Sequence, residues 1–588
     1  MGCSESDLVE NMPQSKAVTL STTISLDGSS TTTRYLDAAG KKTFAAGEQI
    51  ALVYEDANGD AQKVISAALK DADISTDKKK AWLSFNLEKA PKANGNFTMI
   101  YPASMAQEPL PSEGEFGAKA SPAYTKLATQ DGTLASLSSN LDLACCESKF
   151  SSNATLPYTI QLTNKLAILE LTSITDYTGT NDLTSTITGL TVKVGDGASA
   201  PTYTVTRTAA AGPIYVAMER CTEKDITITA TTSTSNYEKT VTSQSLTVST
   251  MTPVTVNNMW KVVDVSSLGA PYVAKNGEML KGTLGKSVKI SIAAGATVTL
   301  KDANINMNDE GNSMLASKLW AGITCNGSAT IILEGTNKVH GFTSSYPGIQ
   351  AAHNASGEEY TLTIKGNGSL VAKSSMYAAG IGSGYGGSND EHLLPCGNII
   401  IESGTITAIG GDGAAGIGCG KYSQCGTITI NGGTITATGG TITVSGKEGG
   451  GAGIGSGSHG ICGTITINDG TIKAQGGDWA AGIGSGNGAD ATCGNINISG
   501  GTITNAKGGS FGAGIGSGQD GTCGDITISG GTIEKAKGGT DGAGIGSGKN
   551  GICGDIKSLV AQLLLLVPRA ALEARALVAV VKTLMIPL

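Results

Sequence analysis

Charge is scarce in this chain. Asp, Glu, Lys and Arg make up 15% of the 588 residues, against ~25% in an ordinary domain, and the formal net charge is −8. So sparse and mildly acidic a surface offers no footprint for nucleic acid. Low charge beside 39% hydrophobic residues also excludes an intrinsically disordered chain. Histidine is rarer still: His340, His353, His392 and His459 are scattered, so no histidine-built metal or catalytic centre is expected. Arginine occurs only at 34, 207, 220, 569 and 575, and no two aspartates are adjacent anywhere. Aromatics are 4% of the chain. Glycine alone is in excess, at 83 residues, about double the ~7% average. It follows no strict every-third-residue period, which excludes a collagen helix. What remains is a large, all-β, turn-rich protein of several domains.

The second half repeats. Cys-Gly recurs at Cys396, Cys425, Cys462, Cys493, Cys523 and Cys553, at intervals of 29, 37, 31, 30 and 30 residues. Between the markers runs one pattern, as in CGTITINDGTIKAQGGDWAAGIGSG: an I-x-I pair, a G-T-I triplet and an A-G-I-G triplet, each bounded by glycine. Segments this short make no sheet alone, and none has helical periodicity. Stacked unit on unit, each becomes a rung of a parallel sheet. The expectation is a three-faced, right-handed parallel β-helix with one coil per repeat. Its core columns would be Ile417/454/483/515/545, Ile406/435/472/503/533, and Ile428/430 with Ile465/467, Ile496/498 and Ile526/528. The 37-residue interval carries an insertion, TITVSGKEG, between the second and third segments. Degenerate coils such as VKISIAAGATVTLKDANI place the start near 280, within a module spanning 275–556. Paired ligands two to four residues apart would mark a zinc site. These cysteines lie one coil apart, so a buried thiol ladder is expected, with cross-coil disulfides the alternative.

Residues 20–262 read differently, as Thr/Ser-rich alternating segments of strand length: GEQIALVYEDANGDAQKVISAAL, KAWLSFNLEKA, KLAILELTSI, DITITATT. This spacing predicts β-sandwiches, with room for two and a break near 105–150. Through TFAAGEQIALVY, MIYPAS and TVNNMW the region resembles the fimbrillin-like (Mfa-like) family of Bacteroidales surface proteins. That resemblance implies outer-membrane lipoproteins, some of them pilus subunits or tips. Through GTLGKSVKISIAAGATVTL, WAGITCNGSATIIL, PGIQAA and the AGIGSG/CG repeats, the second half resembles pectate-lyase-like, carbohydrate-binding β-helix modules of anaerobic gut bacteria. It implies polysaccharide binding without established hydrolysis.

The ends carry two further expectations. In MGCSESDLVE (residues 1–19 being a linker), Gly2 and Ser6 fit an N-myristoylation pattern. The fimbrillin resemblance favours instead a lipobox remnant, with Cys3 carrying the lipid and the outer membrane of a Gram-negative, Bacteroidales-like cell as the anchor. At the other end, residues 557–588 break the repeat at Ser558, where the column calls for isoleucine. Deleting one A from AAA ATC TCT GGT GGC turns Lys-Ile-Ser-Gly-Gly into Lys557-Ser558-Leu559-Val560 and the start of Ala561, and the lost frame accommodates GGTITATGAKGGAG. The reading is a frameshifted tail.

The chemistry of the repeats is meagre. No arginine lies between 262 and 556 to act as a lyase base, and the paired aspartates of polygalacturonase-type hydrolysis are missing. AGIGSG lacks the lysine and following helix of a phosphate loop. No catalysis is expected. Binding has a candidate: four residues before the isoleucine of each A-G-I-G segment stand Tyr377, Gly413, Gly450, Trp479, Phe511 and Asp541. Three rings in one turn column of an aromatic-poor chain offer apolar faces to pyranose rings; the plain alternative is that they shield a coil corner from water. Trp479 and Phe511, on consecutive coils, should stack within ~5 Å. Asp478, Asp541, Asn487, Asp490, Asp520 and Asn550 could assist or hold calcium, though such residues are ordinary in turns; no other cofactor is expected. The function expected is a non-catalytic surface protein binding polysaccharide or host glycan. The alternatives are a pilus-tip or stalk adhesin with a protein partner and, third, a polysaccharide lyase or hydrolase.

Overall fold

The computed structural model describes residues 18–26, 43–106, 127, 129–137, 143–164, 166–247, 251–284, 288–305, 320–342, 345–353, 359–374, 376–387, 395–442 and 449–558. Cys3 and the tail beyond Ser558 lie outside them. The chain divides into two units, Met1–Lys261 and Val262–Leu588.

Alternation builds the first unit. Lys80–Leu87 buries Ala81, Leu83, Phe85 and Leu87 and turns Lys80 and Trp82 outward. Its sheet runs in the order Ala61–Ile65, Ala51–Glu55, Asn96–Tyr101, Ala144–Lys149, Thr159–Asn164, Val18–Leu26, Lys80–Leu87. Rings fill the core between its two ends: Phe44, Tyr54, Phe85, Phe97, Tyr101 and Phe150 are all buried. Phe97 and Phe150 lie 4.9 Å apart, centroid to centroid. A second core, mostly aliphatic, gathers Leu169, Leu171, Ile187, Val205, Val216 and Ile228 from the strands between Leu166 and Asp264. The chain first enters the second strand set within the 105–150 stretch, where Thr129–Gln130 pairs with Thr202–Thr206, and it enters it again at Leu166–Asp176. Ala144–Lys149 and Thr159–Asn164 return to the first sheet.

The second unit is the parallel β-helix. All three isoleucine columns form in register: Ile417–Ile454–Ile483–Ile515–Ile545, Ile406–Ile435–Ile472–Ile503–Ile533, and the I-x-I pairs from Ile428/Ile430 to Ile526/Ile528. All but Ile533 and Ile545 are buried. At ~1.5–3 kcal/mol for each buried side chain, these columns are the main stabilising term of the unit. The first parallel rung is earlier than the repeats indicated, pairing Tyr272–Ala274 with Ile290–Ile292. At the far end Ser558 takes the register position of Ile528 in the next coil.

A fourth, very short ladder accompanies the three faces: Gln424–Cys425, Ile461–Cys462, Thr492–Cys493, Thr522–Cys523 and Ile552–Cys553. Five of the six marker cysteines are thus strand residues, and Cys396 makes an isolated bridge to Cys425. Cys396 through Cys523 are buried, Cys553 half-buried, and none of these is in a disulfide. The thiols of Cys462, Cys493, Cys523 and Cys553 lie 3.9–4.0 Å from the glycine carbonyl one coil back, to which each donates. The glycine after each cysteine is forced by stacking, since a Cβ on Gly463 would lie 2.8 Å from the oxygen of Gly426.

Candidate functional site

The A-G-I-G segments are pinched. Ala452 N donates to Ser456 O at 2.9 Å, and Ala481 N and Ala513 N repeat the bond to Ser485 O and Ser517 O at 3.0 Å. The glycine after each isoleucine makes the pinch possible: Gly484 and Gly516 sit at φ of 136° and 135°, and a Cβ on either would strike the glycine oxygen of the next coil. The serine of AGIGSG is a structural tie, because Ser456, Ser485 and Ser517 accept from Gly486, Gly518 and Gly548 N at 2.9–3.1 Å. Cys419 stands in this serine column and accepts from Gly457 N at 3.3 Å.

Pinching brings two turn columns side by side. The residue four places after each isoleucine donates its amide to the column four places before it, one coil back. Lys421 bonds Tyr377 at 2.9 Å, Ser458 bonds Gly413 at 2.7 Å, Gln519 bonds Trp479 at 2.7 Å and Lys549 bonds Phe511 at 2.8 Å. The next residue adopts a left-handed backbone: φ is 56° at Tyr422, 55° at His459, 56° at Asp520 and 55° at Asn550. Aspartate, asparagine and histidine suit that region; a tyrosine does not. Trp479 and Tyr377 are also left-handed, at 66° and 48°.

Of the residues singled out in the sequence, Trp479 and Phe511 meet. Their centroids are 5.9 Å apart and the planes tilted by 46°, rather than stacked within about 5 Å. Lys549 Nζ stands 4.4 Å over the Phe511 ring, and Asp541 Oδ2 lies 3.7 Å from that ammonium. Asp478 accepts from the amide of Ser510 at 3.2 Å and from its hydroxyl, tying two coils together. Tyr377 does not join this pair, because Gly413 and Gly450 occupy the intervening coils.

Sequence reasoning missed a second group of rings. Tyr385 lies 5.2 Å from Tyr377 and 6.3 Å from Tyr422, and Tyr422 stacks on His459 at 4.9 Å with planes 17° apart. Lys421 Nζ is 5.6 Å from the Tyr377 centroid and 5.1 Å from that of Tyr422. The available signal was the position after each G-x-G, which reads Tyr385 in one coil and Lys421-Tyr422 in the next. Burial favours the neutral imidazole of His459, against the pull of Asp490. The calcium candidates disperse. Asn487 accepts from Gly450 N at 2.9 Å, Asp490 lies 3.9 Å from His459 Nδ1, and Asp520 accepts from Gln519 at 3.1 Å. Among the described residues no three side chains converge as metal ligands.

Comparison with known proteins gives a matching family description for part of the chain. A model described as "Beta helix repeat" matches residues 362–385, 399–421, 465–487, 496–519 and 526–549. No curated protein matches. Among solved structures, a fimbrial assembly protein from Parabacteroides distasonis is 11% identical, with 40% of this chain and 91% of that one covered and a TM-score of 0.23. A candidate cell adhesion protein from Bacteroides ovatus is 14% identical over 42% of this chain and 96% of its own, also at 0.23. A further candidate cell adhesion protein, from Bacteroides fragilis, is 11% identical over 40% and 92%, at 0.23. The protein is thus all-β, a sandwich-built unit followed by a parallel solenoid of beta helix repeats.

Proposed function

We propose that the protein is a non-catalytic bacterial surface adhesin that binds polysaccharide through the ring-bearing turn edge of its β-helix. The observation that carries this reading is the Trp479–Phe511 pair with Lys549 beside it. Two rings on consecutive coils present apolar surface to the C–H faces of sugar rings, and the ammonium and Asp541 flank them with polar groups for hydroxyls. Trp479 keeps a left-handed backbone, an outlier of the kind that clusters at functional sites. Binding needs no cofactor. The same reading puts the lipid on Cys3 and the protein on the outer surface of a Bacteroidales-like cell. It leaves catalysis out because the solenoid between 262 and 556 has no arginine and its repeated serines are spent on cross-coil ties.

A glycan array probed with the full-length protein tests the reading, with Trp479→Asn/Phe511→Ala as the control. Wild type should retain at least one polysaccharide, and the variant should bind it at least tenfold more weakly, the ~1–3 kcal/mol per ring of comparable stacking sites. An array blank for the wild type would favour an adhesin with a protein partner. Release of reducing ends or unsaturated products from a bound polymer would make the protein an enzyme.

A further inference from the structure

The longer row of rings, Tyr377, Tyr385, Tyr422 and His459, has no place in the core. Tyr422 is 41% exposed and the other three are half-buried. Two features mark the row as built. Three of its members hold left-handed backbones: Tyr377 at 48°, in the column of Trp479, and Tyr422 and His459 at 56° and 55°, in a turn that later coils make with Asp520 and Asn550. Nothing in the local conformation calls for a tyrosine there, and a tyrosine is the more strained choice. The row is also set apart from the Trp479–Phe511 pair. Gly413 and Gly450 interrupt the column, and Ile442, at the base of the inserted segment, packs over Gly413, where a Cβ would meet it at 3.2 Å.

We propose that Tyr377, Tyr385, Tyr422 and His459 form a second glycan-binding strip, separate from the Trp479–Phe511 pair. Its ligand is a linear polysaccharide lying along the solenoid axis. The inference rests on the glycan reading above. The rings follow one another at 4.9–6.3 Å over three coils, so only a ligand that repeats its apolar face along a line uses them all. Lys421, over Tyr377 and Tyr422, supplies a donor for hydroxyl or carboxylate groups along that line. Two strips on one edge engage one long chain together, so a polymer binds more tightly than a short oligosaccharide that fills one strip.

The test is affinity electrophoresis of the full-length protein in gels containing soluble xylan, mannan, mixed-linkage β-glucan or polygalacturonate. Tyr422→Asn/His459→Asn removes two rings while giving the turn the kind of residue that Asp520 and Asn550 already place there. Tyr385→Ser, at a position without a left-handed backbone, provides an independent variant. On the polysaccharide that wild type retains, Tyr422→Asn/His459→Asn should raise the apparent Kd at least tenfold, and Tyr385→Ser by a smaller factor, with the melting temperature unchanged. Combination with Trp479→Asn/Phe511→Ala should abolish retardation. If Tyr422→Asn/His459→Asn and Tyr385→Ser are both retarded like wild type while Trp479→Asn/Phe511→Ala is not, the strip is idle and the inference falls, with the glycan reading intact. If wild type is retarded by none of the polymers, both fall.

Discussion

The two units use aromatic residues in opposite ways. In the first, Phe44, Phe85, Phe97 and Tyr101 are among the largest fully buried side chains of the molecule. Among the described residues of the solenoid no Phe, Tyr or Trp is buried; its interior is isoleucine, leucine, valine, alanine and cysteine. The difference follows from geometry. A sandwich core meets each side chain once, so rings of different orientation can interlock. A parallel coil sets every inward residue against its counterpart ~4.8 Å away, where β-branched side chains stack well. Rings kept by such a fold stand on its turns, and there their cost in conformation has to be answered by something other than packing.

Glycine separates the two units most sharply. Gly484→Val sets a branched side chain against the backbone of the next coil at φ 136°, and should destabilise the solenoid by at least ~3 kcal/mol. Gly47→Ala in the first unit, at φ 91° with nothing within 4 Å, should cost only about 1 kcal/mol. Urea unfolding followed by probes in each unit separates them. Rings come next: Phe97→Ala should cost ~3–5 kcal/mol and Phe511→Ala less than ~1 kcal/mol, as read from melting temperatures.

Thiol labelling sharpens the contrast further. Cys462, Cys493 and Cys523 should stay unlabelled in the native protein and react after denaturation, while half-buried Cys146 and Cys221 react first. Fast native labelling of Cys462 would contradict the ladder. Hydrogen bonding of the protonated Cys462 thiol to Cys425 and Cys493, with burial, holds it well above an ordinary thiol, and burial alone takes Cys325 to about 12.

The smallest effect is in pH. Burial raises the Glu219 carboxyl to about 7, beside a pocket of about 340 Å³ that Arg220 and Lys224 also line. A carboxyl raised in the fold contributes stability that is full below its unfolded value near 4.5 and is lost as pH rises through 7. The first unit should therefore melt lower at pH 8 than at pH 5, and Glu219→Gln should flatten that slope.

Much of the solenoid was legible because repetition exposes register. Identical residues at the same place in successive repeats name their own neighbours, so every isoleucine column follows from the repeat pattern. The same spacing made the cysteine column legible as a buried thiol ladder, but its strand rungs and the serine ties were not, being two residues or single hydrogen bonds, too short for alternation to register. The Trp479–Phe511 contact was readable from one column. Tyr385, Tyr422 and His459 were not, because the pinch that joins the two columns is made by backbone bonds around glycine and leaves no side-chain pattern. In the first unit alternation marked strands but not partners, so the return of Ala144–Lys149 to the first sheet came only with the structure.

The turn rings of the solenoid are proposed to serve a ligand rather than the fold. One variant tests it directly: Tyr385→Ser, Tyr422→Asn, His459→Asn, Trp479→Asn and Phe511→Ala combined, with melting temperature and polysaccharide retardation measured on the same sample. The account predicts a melting temperature close to wild type and complete loss of retardation. A collapsed melting temperature, or a stable protein that still binds polysaccharide as wild type does, would contradict it.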